Sequence, residues 1–492
     1  MQEDVVRRGR LSGERSEAVK SFLSSMEADR HIAQEDILVD IAHLLMLDRQ
    51  KIIAPEYAKP LMKALLVLHK KGIPESAFDD RFEDIHAGIE SLLVSIAGED
   101  SGGRLHMGRS RNDEVAACVR IRLRNELLMQ MGSLNSLRDV LLGLAEQHFE
   151  SEMPGFTHFQ PAQPTTLAHF FLSYEGAFAR DFERLLGAYT RINKSPLGSA
   201  AFASTGYPVD RDYTASILGF DGLVLNTMDA VASRDQVLEV LSAYCILMTT
   251  ISRLCEELVV WSSPLVGFVT LDDSFCSTSS IMPQKKNPDT AEIMRGKSGE
   301  VLGAFTAAAV IVKGLPMSYN RDLQELNPHI WRAARGTSAS IGLLAAMLRS
   351  SRFDLESMKK KAGEGFSTAT DLADYLVRTF NLPFRKAHSI VARAVSSGAV
   401  TLESLDKAAG EFSEKSLTGR GFTKEQLQEA LSVSGSIAAR DHPGGPAPEA
   451  AARAVCISRE NLCRDRDLVE ARNQAVSRAV KQMLDDAGRL VS

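Results

Sequence analysis

The sequence is poor in large aromatics: two tryptophans in 492 residues, with aromatic residues at 6%. It has no unbroken run of eighteen apolar residues, so no membrane-spanning helix is expected. It has no basic excess either. The formal net charge is −6, and a nucleic-acid partner, which needs a positive face, is not expected. The six cysteines form no Cys-x-x-Cys pair, and no His-x-x-x-His occurs, so neither a metal centre nor a disulfide framework is expected. Gly-x-Gly-x-x-Gly and Walker spacings are missing, which argues against a phosphate-cradling loop. No internal repeat or low-complexity tract appears. The first ten residues are charged and lack the apolar core of a secretion signal, so a cytoplasmic location is expected.

What is present favours helices. Hydrophobic residues reach 44%, and Ala, Leu and Val dominate them. Apolar residues recur at helical spacing over 36–47, 60–69, 114–151, 165–192, 229–261 and 290–312. In the third of these, Val115, Val119, Leu123, Leu127, Leu134, Leu137, Leu141 and Leu144 mark one seam, which reads as bundle core. The expectation is an all-α chain with an antiparallel bundle of long helices at its centre. Beyond Gly363 the helical stretches shorten and turns multiply. Three domains are expected: 1–112, mostly helical; 113–362, the long-helix bundle; and 363–492, a small helical unit.

Polar segments punctuate the helices. The most informative runs Ser279-Ser280-Ile281-Met282-Pro283-Gln284-Lys285-Lys286-Asn287-Pro288-Asp289, just before a helical pattern. Hydroxyls, cations and an amide at a helix start suit a bound anion, because free N–H groups and the helix dipole favour negative charge there. Without its wording, such a stretch reads as a solvated loop. Gly108-Arg109-Ser110-Arg111-Asn112-Asp113 precedes the longest helix. Arginine suits bidentate carboxylate recognition, and Asn112 or Asp113 can equally cap that helix. Pro154 and Gly155 should end the helix and present Thr157 and His158 on a turn. Residues 195–211, rich in Gly, Ser and Pro, read as an irregular crossing.

The 279–288 wording, Ser-Ser-x-Met-Pro-x-Lys-x-Asn-Pro, resembles the signature loop of the fumarase/aspartase superfamily. Its Gln284-Lys285-Lys286-Asn287 form resembles the argininosuccinate lyase branch. Glu83-Asp84-Ile85-His86, Ser110-Arg111-Asn112-Asp113, Pro154-Gly155-Phe156-Thr157-His158-Phe159-Gln160 and Tyr319-Asn320-Arg321-Asp322-Leu323-Gln324 extend that resemblance over essentially the whole chain. Two positions depart from the family pattern: Thr278 stands where a glycine is usual, and Asn327 where a substrate-binding lysine is usual.

The resemblance implies a carbon–nitrogen lyase that converts argininosuccinate to arginine and fumarate without metal or organic cofactor. His158, Ser279 and Lys285 would be catalytic. Ser25, Asp29, His86, Ser110, Arg111, Asn112, Thr157, Asn287, Tyr319, Gln324 and Asn327 would bind substrate. It further implies a homotetramer around a twenty-helix core, with each active site shared by three subunits. Ser279, helped by Lys285, is the favoured base, with His158 assisting; the opposite assignment stays open. Two rival readings are an adenylosuccinate-type lyase and a catalytically silent helical oligomer. The second predicts losses at the acid/base positions, and those positions are intact.

Overall fold

The computed structural model describes residues 15–492; the charged start, 1–10, lies outside them. The chain is about 69% helix and 5% strand, an all-α fold as expected. After two short helices, Glu17–Leu23 and Met26–Asp29, come three longer ones: α1 (Ala33–Arg49), α2 (Pro55–Lys71) and α3 (Ile85–Ala97). Five long helices follow: α4 (Arg111–Gln147), α5 (Leu167–Ile192), α6 (Asp235–Ser262), α7 (Asp289–Val312) and α8 (Asn327–Ser350). α4 to α7 fall on apolar patterns predicted from spacing, whereas α8 does not fall on any of those patterns. Leu123, Leu127, Leu134, Leu137 and Leu141 of α4 are fully buried, as are Val237, Leu241, Leu247 and Leu254 of α6. Among the described residues six strands form three separate two-stranded pairs: the hairpins β1 (Glu152–Thr157) with β2 (Gln160–Thr166) and β4 (Ser277–Thr278) with β5 (Lys286–Asn287), and the long-range pair β3 (Val269–Thr270) with β6 (Arg352–Phe353).

Two local expectations change. The 229–261 pattern is two helices, Thr227–Ala232 and α6, parted at Ser233 and Arg234. The break frees carbonyls, and the buried Arg234 guanidinium donates to two of them, Val231 O at 3.3 Å and Ser233 O at 2.7 Å. The cap of α4 is Ser110, not Asn112 or Asp113. Ser110 and Asp113 form a reciprocal capping box, which satisfies free N–H groups at both positions.

Among the described helices one, α6, is long and apolar enough to cross a membrane. Half of that apolar stretch is buried among the other helices, which is how a bundle's central helix reads.

The long helices run up and down between two ends. α4, at 37 residues, spans about 55 Å. At its start, Arg111 meets Asp84 at 3.0 Å, and Glu83 meets Arg321, placing the segment after α7 there too. At its other end, the His148 ring lies 6.0 Å from Phe353 of β6, and Phe353 lies 5.4 Å from Phe171 near the start of α5. Because β6 pairs with β3, the segment between α6 and α7 belongs to this far end.

After α8, four short helices bury Leu372, Leu376, Ile390, Leu405 and Phe422 in a core of their own. The last helix, α9 (Pro448–Val491), leaves that cluster. Its Val455, Leu462, Val469 and Met483 join the main core, and it lies antiparallel to α4, with Arg459 on Glu146 at 2.9 Å and Asp465 on Arg138 at 2.5 Å.

Candidate active site

The near end of the bundle gathers most of the expected substrate-binding residues. Ser25 Oγ donates to Asp29 at 2.6 Å, and the Ser25 N–H donates to Glu83 O at 3.1 Å. Burial pushes the Asp29 carboxyl up to about 6, against the pull of His86 and of the Ser25 hydroxyl. Arg321 and Gln324 both donate to Leu23 O, at 2.7 and 3.2 Å, and Arg321 Nε donates to Gln324 Oε1 at 3.2 Å. Half-buried Tyr319 has its phenol pushed up by burial, with Arg234 and Arg321 opposing.

The 110–112 strip is held from several sides. Asp113 is buried; its Oδ1 accepts the Ser110 N–H at 3.0 Å, and its Oδ2 accepts from Gly198 at 3.0 Å and Ala200 at 2.8 Å. Asn112 Nδ2 donates to Ala201 O at 2.9 Å. These bonds tie the strip to the 195–211 crossing. Arg111 is a quarter exposed and pairs with Asp84 at 3.0 Å.

His86 and Asn327 are not open to solvent. His86 lies with Asp36, whose carboxylate is 2.9 Å from Nδ1, and both side chains are at most 3% exposed. Burial alone would lower the imidazole pKa; the charge and hydrogen bond of Asp36 win and raise it to about 10. Asn327 is 4% exposed at the start of α8, so the usual lysine's place is taken by a neutral, buried amide. His86 also makes a pH prediction. A folded-state pKa above the unfolded value stabilises the fold below about pH 6.5 and loses that stabilisation as pH climbs towards 10. The melting temperature should therefore fall from pH 7 to pH 10, and His86→Gln should flatten that slope; equal slopes would mean the ion pair does not control it.

The far end carries the rest. Thr157 pairs with Gln160 in the β1–β2 hairpin, leaving a two-residue turn of His158 (φ 57°) and Phe159 (φ 56°). Two left-handed residues match the type I′ geometry that suits twisted hairpins. Thr157 and His158 are exposed, and Phe159 is 83% exposed. Gly155 sits at the hairpin's bulge, where a Cβ would lie 2.5 Å from Gln163 O.

The 279–285 stretch is the loop of the β4–β5 hairpin and leads into α7. Thr278 pairs with Lys286 in extended conformation, which a β-branched residue suits, so this position has no need of glycine. Ser279 Oγ accepts two backbone N–H groups, Ile281 at 3.3 Å and Met282 at 3.1 Å. The two lysines part company. Lys286 Nζ donates to Leu271 O at 2.6 Å and to Asp273 at 2.5 Å, and the latter bond raises its pKa. Lys285 is exposed and has no ion-pair partner among the described residues. Asn287 Nδ2 is 3.5 Å from Ser277 Oγ. The first turn of α7 carries Asp289 and Glu292, which already use part of its dipole.

Sequence reading named Asp113 only as a possible cap and missed Arg234 and Asp40, whose carboxylate meets the buried Arg109 guanidinium at 2.6 Å. The Ser-x-x-Asp spacing of a capping box could have exposed the first; nothing local marks the other two.

A family pattern described as Lyase matches residues 9–303, and one described as Argininosuccinate lyase C-terminal matches 366–438. The fold, the loop and these matches define a lyase. Proteins named argininosuccinate lyase from Methanoculleus marisnigri and Methanospirillum hungatei are 56% and 55% identical, over 100% of this chain and 100% and 99% of theirs. An EDDS lyase variant with bound fumarate superposes with a TM-score of 0.86 at 28% identity, covering 99% of this chain and 98% of that one. The chain belongs to the argininosuccinate lyase family within the fumarase/aspartase superfamily.

Proposed function

We propose that this enzyme splits argininosuccinate into L-arginine and fumarate in the cytoplasm, as the last step of arginine biosynthesis. It does so as a homotetramer whose sites are each built by three subunits. The observation that carries the catalytic assignment is the bonding of Ser279. Both N–H bonds point at its oxygen, which favours the deprotonated hydroxyl, and Lys285 brings an uncommitted cation to the same hairpin.

In this reading Ser279 Oγ takes the proton from the carbon next to a substrate carboxylate. The electron pair moves into that carboxylate and makes a doubly charged aci-carboxylate. Lys285 and Asn287 face the developing charge; losing one such donor raises the barrier by roughly 3–4 kcal/mol. The pair then returns to form the double bond of fumarate, and the carbon–nitrogen bond breaks. The departing arginine nitrogen takes a proton, with His158 as relay. Ser25, Asp29, Ser110, Arg111, Asn112, Thr157, Tyr319 and Gln324 hold the substrate. His86 and Asn327, being buried, would act through their neighbours.

The two ends of the bundle support the shared site. Ser110–Asn112 begin the helix whose far end, about 55 Å away, carries the Thr157–His158 turn. Ser279 and Tyr319 flank α7, whose 24 residues span about 36 Å. A single chain cannot close such a site, whereas antiparallel copies can bring opposite ends together. We further propose three domains, 1–112, 113–362 and 363–492, with α9 returning to the bundle.

The test mixes purified protein with argininosuccinate and follows fumarate absorbance in the ultraviolet, with adenylosuccinate in parallel. Fumarate should appear from argininosuccinate alone. Release from adenylosuccinate instead would assign the nucleotide rival, and no release from either would leave the silent oligomer.

A further inference from the structure

Beneath the 110–112 strip lies a buried ionic group built on Arg109, a residue that the chemistry above does not use. Arg109 is 3% exposed at its side chain and forks between two elements. One nitrogen meets Asp40 of α1 at 2.6 Å, and the other meets Glu114 in the first turn of α4 at 2.9 Å. Glu114 in turn lies 3.9 Å from the His86 imidazole, which holds Asp36. The chain thus alternates around Ser110: Arg109 turns inward to a fixed fork, and Arg111 turns outward to Asp84 and the site. Asp36, His86 and Glu114 bring donor atoms within 4.8 Å of one another, a spacing a metal ion could use. With Arg109 on Glu114 and the imidazole on Asp36, the group reads as paired ions instead.

Resting on the function proposed above, we infer that Arg109 is a positioning residue for substrate binding. Its guanidinium, clamped by Asp40 and Glu114, fixes the rotation of the 110–112 strip. That rotation aims Arg111 at a substrate carboxylate. A planar fork can hold two carboxylates on different helices at fixed angles; a lysine ammonium offers one point of attachment and no plane. Asp113 fastens the strip to the 195–211 crossing, but leaves its tilt towards α1 to Arg109.

Binding of argininosuccinate measured by calorimetry in a Ser279→Ala background separates this role from turnover. Adding Arg109→Lys should weaken binding about ten-fold, as loss of a bidentate anchor does. In the presence of Arg111→Ala, the same change should weaken binding little further, because residues acting through one another are not additive. With Ser279 intact, Arg109→Lys should raise KM and leave kcat within about three-fold. A lowered melting temperature with unchanged affinity, or penalties that simply add, would overturn the positioning role while leaving the function standing. Absence of argininosuccinate binding by the Ser279→Ala parent would overturn the function and this inference together.

Discussion

Replacing Ser279 by alanine should lower kcat by roughly 10²–10⁴-fold, the usual worth of a positioned general base, with KM within a few-fold and the melting temperature unchanged. The physical case is local. Ser279 is partly exposed at a hairpin loop, so the substitution removes no core contact. Its oxygen accepts the N–H groups of Ile281 and Met282, leaving its own proton free to be exchanged with substrate. Loss of those two bonds would loosen the loop, but Thr278 and Lys286 still pair at its base. Steady-state kinetics beside a thermal melt decide it. A kcat within ten-fold of the parent would move the carbon-acid proton to His158, and the same experiment on His158→Asn would then show the larger loss.

The second large effect comes from mixing. Arg111→Ala breaks a near-end residue and Ser279→Ala a far-end one, and each protein alone should be almost inactive. Unfolded together and refolded, they should recover roughly a quarter of parental activity, since random assembly of sites that take these residues from different copies pairs two intact parts one time in four. Separately refolded samples, mixed afterwards, are the control. If each chain built its own site, the co-refolded mixture would stay as inactive as its parents.

Much of the fold was legible because helical periodicity survives in single sequences when helices are long. The leucine seam of α4 and the run that became α7 are cases. The break at Ser233–Arg234 was not legible. The apolar spacing continues across it, and the buried guanidinium that satisfies the freed carbonyls gives no sequence signal. The strand pairs were missed because pairing leaves weak traces in strands of two residues, and β3 and β6 lie on opposite sides of two long helices in the sequence. At the candidate site, the wording of motifs identified residues, but not their state. His86 and Asn327 look polar and available in the sequence, and both are buried by elements distant along the chain. The Lys285-Lys286 pair looks symmetric, yet hairpin alternation ties Lys286 to Asp273, and Lys285 has no ion-pair partner among the described residues.

The return of α9 along α4 changes what the small cluster around Leu372 and Phe422 is. Residues more than three hundred positions apart, Glu146 and Arg459 among them, close one seam of the bundle. The cluster is therefore an inset, looped out between two segments of the same body, rather than a bead at the end of a string. During synthesis the bundle stays open along that seam until the final helix leaves the ribosome, whereas the inset, having all its core residues in one contiguous stretch, can fold beforehand.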